Sequence, residues 1–281
     1  MRLIKLKFIL SLPAMLKKVS FFVALLFLVA LVSSCSEYNK LLKSTDYDKK
    51  YEAAIKYYEE ADYFRAYQLL EELVSIFRGT DKAEKIYFYY AYCNYHMEDF
   101  DLAGFHFSNF VKTYPASKYA EEASYMNALT YYSNSTDPSL DQTNTYKAIK
   151  ELQSFINKYP TTPKAQEATR LIDELRHKLE VKAYNMCKQY HRTENYKSAM
   201  VCVENSVKEF PSSVFNEELE FISLKSSYLY AINSVEAKKE SRLKSTVELY
   251  KNFIEQYPNS PFVREARAIH EQISKAINNQ S

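Results

Sequence analysis

The chain has 281 residues, only two glycines, no tryptophan and 26 tyrosines, and it carries a formal charge of +2. So few glycines favour a mostly helical protein. Residues 1–34 hold five positive charges and no acid, so the remainder has a net charge of −3 and lacks the dense basic stripe of a nucleic-acid-binding surface. The glycines form no phosphate-binding loop and the five histidines have no metal-ligand spacing, so we expect no enzyme activity, no cofactor and no metal site.

The first 34 residues have the pattern of an export signal. Two lysines precede an apolar run of 14 residues, 19–32, which is short for a membrane-spanning helix and suits a signal peptide. The run ends in Leu-Val-Ser-Ser followed by Cys35, which resembles a bacterial lipobox. This pattern predicts removal of residues 1–34 and lipidation of Cys35, as with palmitate, so that residues 35–46 form a lipidated tether.

Two alternatives stay open for this leader. The first is an ordinary secretory signal that is cut near Ser34. The second concerns the start of translation, because Met15 with the lysines after it would open a more ordinary signal than Met1. No run of acids follows Cys35, and this favours an anchor that faces the periplasm.

A phrase of an aromatic residue, proline, any residue and Ser or Thr recurs along the rest of the chain. Proline ends the helix before it, and the hydroxyl can accept from the free N–H groups that open the next helix. A fixed phrase at intervals of 37 to 51 residues is typical of a helical repeat array. The copies are Tyr114–Ser117, Tyr159–Thr162, Phe210–Ser213 and Tyr257–Ser260, with a degenerate first copy at Phe77–Thr80.

Two further patterns give each repeat a pair of helices. Before each phrase, a small residue is followed four positions later by a large apolar one, as in Ala66 and Leu70, so both lie on one helix face. The helix before that has an aromatic, a small and a second aromatic residue, first seen as Tyr51, Ala54 and Tyr58 and repeated every 37 residues over three copies. These spacings resemble the tetratricopeptide repeat and predict an all-α protein, a right-handed superhelix of five tetratricopeptide-like helix pairs.

Two insertions interrupt the repeat. The third unit has extra residues near 134–138, which read as a loop between its two helices. The fourth has 14 extra residues, through 165–179, which contain no helix breaker and predict an unusually long helix. We therefore divide the chain into N-terminal repeats 1–3 at residues 47–162 and C-terminal repeats 4–5, with the long helix, at residues 163–281.

Three cysteines remain after Cys35. Cys187 occupies a small-residue position, which predicts a place in the core. A disulfide between Cys187 and Cys202 is sterically conceivable across one helix pair, and export would permit it. A buried free thiol that behaves as a small apolar residue is the favoured interpretation for these cysteines and for Cys93.

Aromatic residues recur on the first helix of each repeat. In a tetratricopeptide array these positions face the concave side, so together they suggest a tyrosine-lined groove that binds an extended segment carrying aromatic residues. The alternative is that most of these rings are buried between neighbouring helices. The candidate groove residues are Tyr51, Tyr58, Phe88, Tyr92, Tyr95, Tyr125 and Tyr132.

The mature chain resembles the BamD family, lipoproteins of the outer-membrane β-barrel assembly machinery. The resemblance rests on Cys35 with its short tether and on the order of several segments, and residues 51–80 look close to Bacteroidetes members of the family. The other segments that carry it are 69–73, 141–149, 155–160 and 175–180.

The resemblance implies a non-enzymatic scaffold that is lipid-anchored on the periplasmic face of the outer membrane. It implies that the N-terminal repeats recognise the C-terminal signal of unfolded outer-membrane barrel proteins, which ends in an aromatic residue. It also implies that the C-terminal repeats dock the POTRA domains of a BamA-like insertase. The alternatives are a periplasmic repeat adaptor of the cell-division or Tol-Pal machinery and a SusD-type nutrient-binding lipoprotein.

Overall fold

The computed structural model describes residues 37–278. All regular structure in these residues is helical, as the sequence predicts. Among the described helices, none is both long enough and apolar enough to cross a membrane. The predicted signal peptide and Cys35 lie outside the described residues.

A short helical segment, 37–42, precedes the helices of the repeats. The five predicted helix pairs follow in order, and a further single helix closes the described chain. The pairs are α1 (Tyr47–Glu59) with α2 (Tyr63–Ile76), α3 (Ala83–His96) with α4 (Phe100–Thr113), α5 (Ala120–Ser133) with α6 (Thr143–Lys158), α7 (Pro163–Arg192) with α8 (Tyr196–Glu209) and α9 (Asn216–Ile232) with α10 (Glu236–Gln256), and the closing helix is α11 (Val263–Asn278).

The helices form two compact units, one up to residue 127 and one from residue 128, with the division inside α5. In the first unit α1 packs on α2, α2 on α3 and α3 on α4, and α1 also contacts α3. In the second unit α6 to α11 pack on their chain neighbours in the same way, and α7 contacts α9 as α9 contacts α11. The first helices of successive pairs therefore lie side by side within each unit.

The small and large positions of the repeat form the core. Ala66 and Ala103 are completely buried on α2 and α4, and so are Leu70 and Phe107 four residues later. On the first helices the small position is buried just as completely, as at Ala54. A buried side chain as large as Phe107 contributes roughly 2–3 kcal/mol to folding by leaving water, and the alanines let the paired helix come close enough to cover it.

The aromatic-proline phrase forms a turn in each copy. The N–H of Ser117 donates to the carbonyl of Tyr114 at 3.1 Å, and the same bond closes the turns at Ser213 and Ser260. The Ser117 hydroxyl then accepts from the N–H of Tyr119 at 3.2 Å, one residue before α5 begins. The predicted hydroxyl acceptor is thus present, but the N–H group that it binds lies just before α5 and not inside its first turn.

The two insertions form one structural feature. α7 has 30 residues, which confirms the predicted long helix, and the predicted loop lies between α5 and α6. Lys178 of α7 donates to the Ser135 hydroxyl at 2.8 Å, and Lys182 donates to the Leu140 carbonyl at 2.7 Å. The long helix α7 therefore holds the loop that the preceding repeat inserts.

The structure joins Cys187 of α7 to Cys202 of α8 in a disulfide, with a Cα–Cα distance of 5.4 Å. The expectation of free thiols is therefore wrong for this pair, because the close approach of the two helices brings both sulfur atoms to the same contact. Cys93 is a buried free thiol, as expected, and burial raises its pKa to about 12.

We predict that the Cys187→Ala/Cys202→Ala protein loses about 3 kcal/mol of unfolding free energy, because the disulfide closes a loop in the unfolded chain and its ends are separated by 15 residues. Urea denaturation with and without a reductant measures this loss. The wild-type protein and a Cys93→Ala control should both become less stable in reductant, whereas the double variant should not respond. An unchanged wild-type transition in reductant would contradict the prediction.

Candidate functional site

Tyr58 of α1 is the centre of an aromatic cluster in the first unit. Its ring stacks on that of Tyr89 of α3, with centroids 4.4 Å apart and planes 7° apart. The Tyr63 ring approaches the Tyr58 ring edge-on at 5.6 Å, and the His96 ring stacks on Tyr63 at 4.1 Å. We call Tyr58, Tyr63, Tyr89 and His96 the Tyr58 cluster.

The members of the Tyr58 cluster are partly desolvated and uncharged. Burial raises the pKa of the Tyr58 phenol well above its ordinary value, so the hydroxyl stays protonated and can donate a hydrogen bond. His96 is open to solvent on one side while the stacked rings exclude water on the other, and this desolvation lowers its pKa. Its imidazole is therefore neutral at neutral pH, and the cluster offers ring faces and hydrogen-bonding atoms without a net charge.

Tyr92 and Tyr95, both predicted groove residues, continue this aromatic surface along α3. The Tyr92 ring meets Phe107 edge-on at 5.1 Å, and its hydroxyl donates to Glu122 Oε1 at 2.5 Å, which ties α3 to the start of α5. The Tyr95 ring packs edge-on against Phe100 at 5.4 Å and His96 at 5.9 Å. Both tyrosines are half-buried, so each keeps part of its ring accessible.

The structure places the other four predicted groove residues differently. Phe88 and Tyr125 are buried, with 6% and 9% of their surfaces exposed, so these two rings lie in the core, as the alternative interpretation expects. Tyr51 is half-buried, and the Lys82 amine lies 5.0 Å from its ring centroid. Tyr132, in the second unit, donates to Glu174 at 2.6 Å, and this bond, together with burial, raises its pKa to about 12.

Sequence reasoning missed Tyr63, Tyr89 and His96. The repeat pattern selected Phe88, whose ring is buried, and not its neighbour Tyr89, whose ring is accessible. A helical reading of α3 alone could have found the accessible face, because residues 89, 92 and 96 are spaced three and four apart and lie on one side of a helix.

The second unit has a cleft of about 570 Å³ between α7, α9 and α11. Phe221 and Phe262 stack at 4.7 Å and line it together with Ile222. Two ion pairs cross between the helices at its rim, Lys188 with Glu218 at 2.9 Å and Lys225 with Glu265 at 2.6 Å. Each of these lysines is thus already neutralised by a glutamate.

Arg192, at the end of α7, gives this cleft a positive charge with no acidic partner among its described contacts. Its guanidinium donates to the neutral amide oxygen of Gln189 at 2.7 Å. His191 hydrogen-bonds to the Ser226 hydroxyl at 2.8 Å, and its pKa is lowered by burial and then by the charge of Lys225. The cleft therefore combines an aromatic floor with one exposed guanidinium, a combination suited to an apolar side chain next to a carboxylate.

The described residues contain no group of His, Cys, Asp and Glu side chains arranged to hold a metal ion. Both surfaces offer apolar area with hydrogen-bonding groups at the margin, which is an arrangement for binding a partner segment.

The model of the YfiO family, described as an outer membrane lipoprotein, matches residues 44–241, which is most of the chain. No curated protein matches the sequence at a significant level. Among solved structures, the chain is similar to a TPR-repeat protein from Bacteroides fragilis NCTC 9343, at 14% identity, with 83% of this chain and 100% of that chain covered and a TM-score of 0.36. It is also similar to the TPR2AB domain of yeast Sti1 in a complex with pHSP90, at 13% identity, 81% and 98% coverage and a TM-score of 0.38. At such low TM-scores these likenesses carry no argument about function.

Proposed function

Because the chain belongs to the YfiO family of outer membrane lipoproteins, we propose that it is a non-enzymatic scaffold of the β-barrel assembly machinery. In this proposal it is anchored through Cys35 on the periplasmic face of the outer membrane. Its first unit binds the C-terminal segment of unfolded barrel proteins, and its second unit docks a periplasmic domain of a BamA-like insertase. The Tyr58 cluster is the observation that carries the proposal furthest.

The chemistry of the Tyr58 cluster suits a peptide that ends in an aromatic residue. Such a peptide presents a ring and a terminal carboxylate within a few ångströms of each other. The cluster offers the accessible parts of the stacked Tyr58 and Tyr89 rings for contact with the peptide ring. The protonated phenol of Tyr58 can donate a hydrogen bond to the carboxylate. The amine of Lys85 lies 5.4 Å from the Tyr89 ring centroid and adds a positive charge beside the cluster, which favours a terminal carboxylate.

The cleft of the second unit supports the docking part of the proposal. Buried aromatic residues and arginine are the groups that most often dominate the binding energy of protein interfaces, and the cleft supplies Phe221, Phe262 and Arg192 together. A loop that carries an aliphatic side chain and a carboxylate would fill the cleft and neutralise Arg192. The ion pairs at the rim need not change on binding.

We predict that Tyr95→Ala weakens the binding of a synthetic peptide with the C-terminal sequence of a barrel protein. Loss of one anchoring tyrosine typically costs on the order of 2 kcal/mol, or roughly thirtyfold in affinity. Fluorescence anisotropy measures the affinity, and circular dichroism must first show that the helices of the variant are intact. Tyr146→Ala, which removes an exposed tyrosine from α6, is the matched control and should bind normally.

Unchanged peptide affinity in a folded Tyr95→Ala protein would remove this residue from the site. The same result for Tyr58→Ala and Tyr89→Ala would overturn the proposal that the first unit binds this peptide.

For the docking part, we predict that Arg192→Glu reduces co-purification of the insertase by at least roughly tenfold, because it replaces attraction of a carboxylate by repulsion. Quantitative mass spectrometry of the affinity-purified complex measures the recovery. Arg176→Glu makes the same charge change at an exposed position of the same helix, and it should leave recovery unchanged. Equal recovery of the insertase with both variants would move the docking site away from this cleft.

The anchor is tested separately. Cys35→Ala removes the thiol to which the lipid would be attached, so the variant should appear in a soluble or uncleaved form. Membrane fractionation checks this prediction, with Cys93→Ala as a control that should stay with the outer membrane. A Cys35→Ala protein that fractionates with the outer membrane as the wild type does would show that the anchor is assigned wrongly.

A further inference from the structure

A second cleft, of about 580 Å³, lies between the helical segment 37–42 and α1. Lys40 and Leu41 line it from the segment, and Lys49, Ala53 and Lys56 line it from one face of α1. Half-buried Tyr57 also lines it, together with Tyr38, which is buried with 7% of its surface exposed and whose ring meets that of Tyr57 edge-on at 5.6 Å. The cleft thus has an aromatic floor between two basic walls.

The cleft is held open by contacts that do not use its own lysines. Lys50 is buried, forms an ion pair with Glu72 at 2.5 Å and donates to the Leu42 carbonyl at 3.0 Å. The Tyr38 hydroxyl donates to Gln68 Oε1 at 2.7 Å. These bonds fix the segment 37–42 against α1 and α2, so the two walls keep their separation.

The charge in this cleft is positive. Lys40, Lys49 and Lys56 are all exposed, and Glu37 is the acid that lines the cleft with them. Lys56 also lies 3.9 Å from Glu60, but an ion pair this long and this exposed contributes little. Three amines against one carboxylate leave a site for an anion.

The chain places this cleft close to the proposed lipid anchor, and the inference rests on that part of the proposed function. The segment begins two residues after Cys35, and two residues span at most about 7 Å. When the acyl chains of Cys35 are in the bilayer, the end of the cleft that Glu37 lines therefore lies close to the lipid headgroups. Acyl chains and a basic patch together are a general means of stable attachment to a membrane.

We infer that the cleft binds the headgroup of an anionic phospholipid of the phosphatidylglycerol type. The phosphate contacts the lysines, and the glycerol backbone with the first acyl carbons covers the half-buried side chains of Leu41 and Tyr57. A free phosphate ion would use the lysines but leave these two apolar side chains uncovered. Each lysine near an anionic membrane surface contributes roughly a fivefold change in binding. Bound in this way, the headgroup fixes the direction in which the first unit leaves the membrane.

The first experiment uses the acylated chain purified from membranes and inserted into vesicles of phosphatidylcholine, with or without phosphatidylglycerol. Acetylation rates of individual lysines are read by mass spectrometry. We expect acetylation of Lys40, Lys49 and Lys56 to slow at least roughly fivefold when phosphatidylglycerol is present. The exposed reference lysines Lys112, Lys150 and Lys197 should react equally in both vesicles.

Equal rates at the cleft lysines in both vesicles, or equal slowing of every lysine, would overturn the inference. Protection that inorganic phosphate alone produces in phosphatidylcholine vesicles would assign the cleft to a soluble anion instead of a lipid.

A second measurement does not depend on the anchor. Spin-labelled phosphatidylglycerol in neutral detergent micelles should show a motionally restricted fraction with the wild-type chain, and Lys40→Gln/Lys49→Gln/Lys56→Gln should abolish it. The matched variant Lys112→Gln/Lys150→Gln/Lys197→Gln, with the same loss of charge, should keep it. Equal restricted fractions in the two folded variants would contradict the headgroup site. A chain that does not bind either kind of vesicle would contradict the anchor proposal only. The micelle measurement would still test the headgroup site in the cleft.

Discussion

The close approach of helices at buried alanines is the constraint on which the rest of the structure depends. Ala54 and Ala91 have no exposed surface, and they occupy equivalent positions on α1 and α3, which contact each other. A larger residue at Ala54 would push α1 away from the core side chains that surround it, among them Leu69 and Leu70 of α2.

Aromatic residues of the first helices reach the surface beside this buried core. The rings of Tyr58 on α1 and Tyr89 on α3 stack on each other, so part of the contact between these two helices is aromatic. Tyr58 and Tyr95 are half-buried, each with one side against a neighbouring ring and the rest towards solvent. Desolvation keeps the phenol of Tyr58 protonated, and the resulting surface is apolar, neutral and able to donate hydrogen bonds.

Much of the fold follows from sequence because its determinants are local. The phrase at Tyr114–Ser117 specifies a turn, and the breaker-free stretch at 165–179 specifies more helix, so both could be predicted from neighbouring residues alone. The disulfide of Cys187 and Cys202 depends on the distance between two helices, which spacing along the chain does not fix.

The candidate sites were less predictable for the same reason. The repeat register located α1 and α3 correctly, but a shift of one residue around a helix separates the buried ring of Phe88 from the accessible ring of Tyr89. The cleft with Arg192 is formed by side chains from three helices, so no spacing pattern within a single helix predicts it. Likewise, the support of the 134–142 loop by α7 connects two insertions that look independent in the sequence.

The central claim is that the aromatic surface of the first unit contacts unfolded barrel proteins, and photo-crosslinking in living cells tests it most directly. A photoreactive amino acid replaces either Tyr63, in the Tyr58 cluster, or Phe105, an exposed aromatic residue of α4 with 59% of its surface accessible. The account predicts adducts with unassembled barrel proteins from position 63 and none from position 105. Adducts from position 105 alone, or from neither position while the protein remains folded, would contradict it.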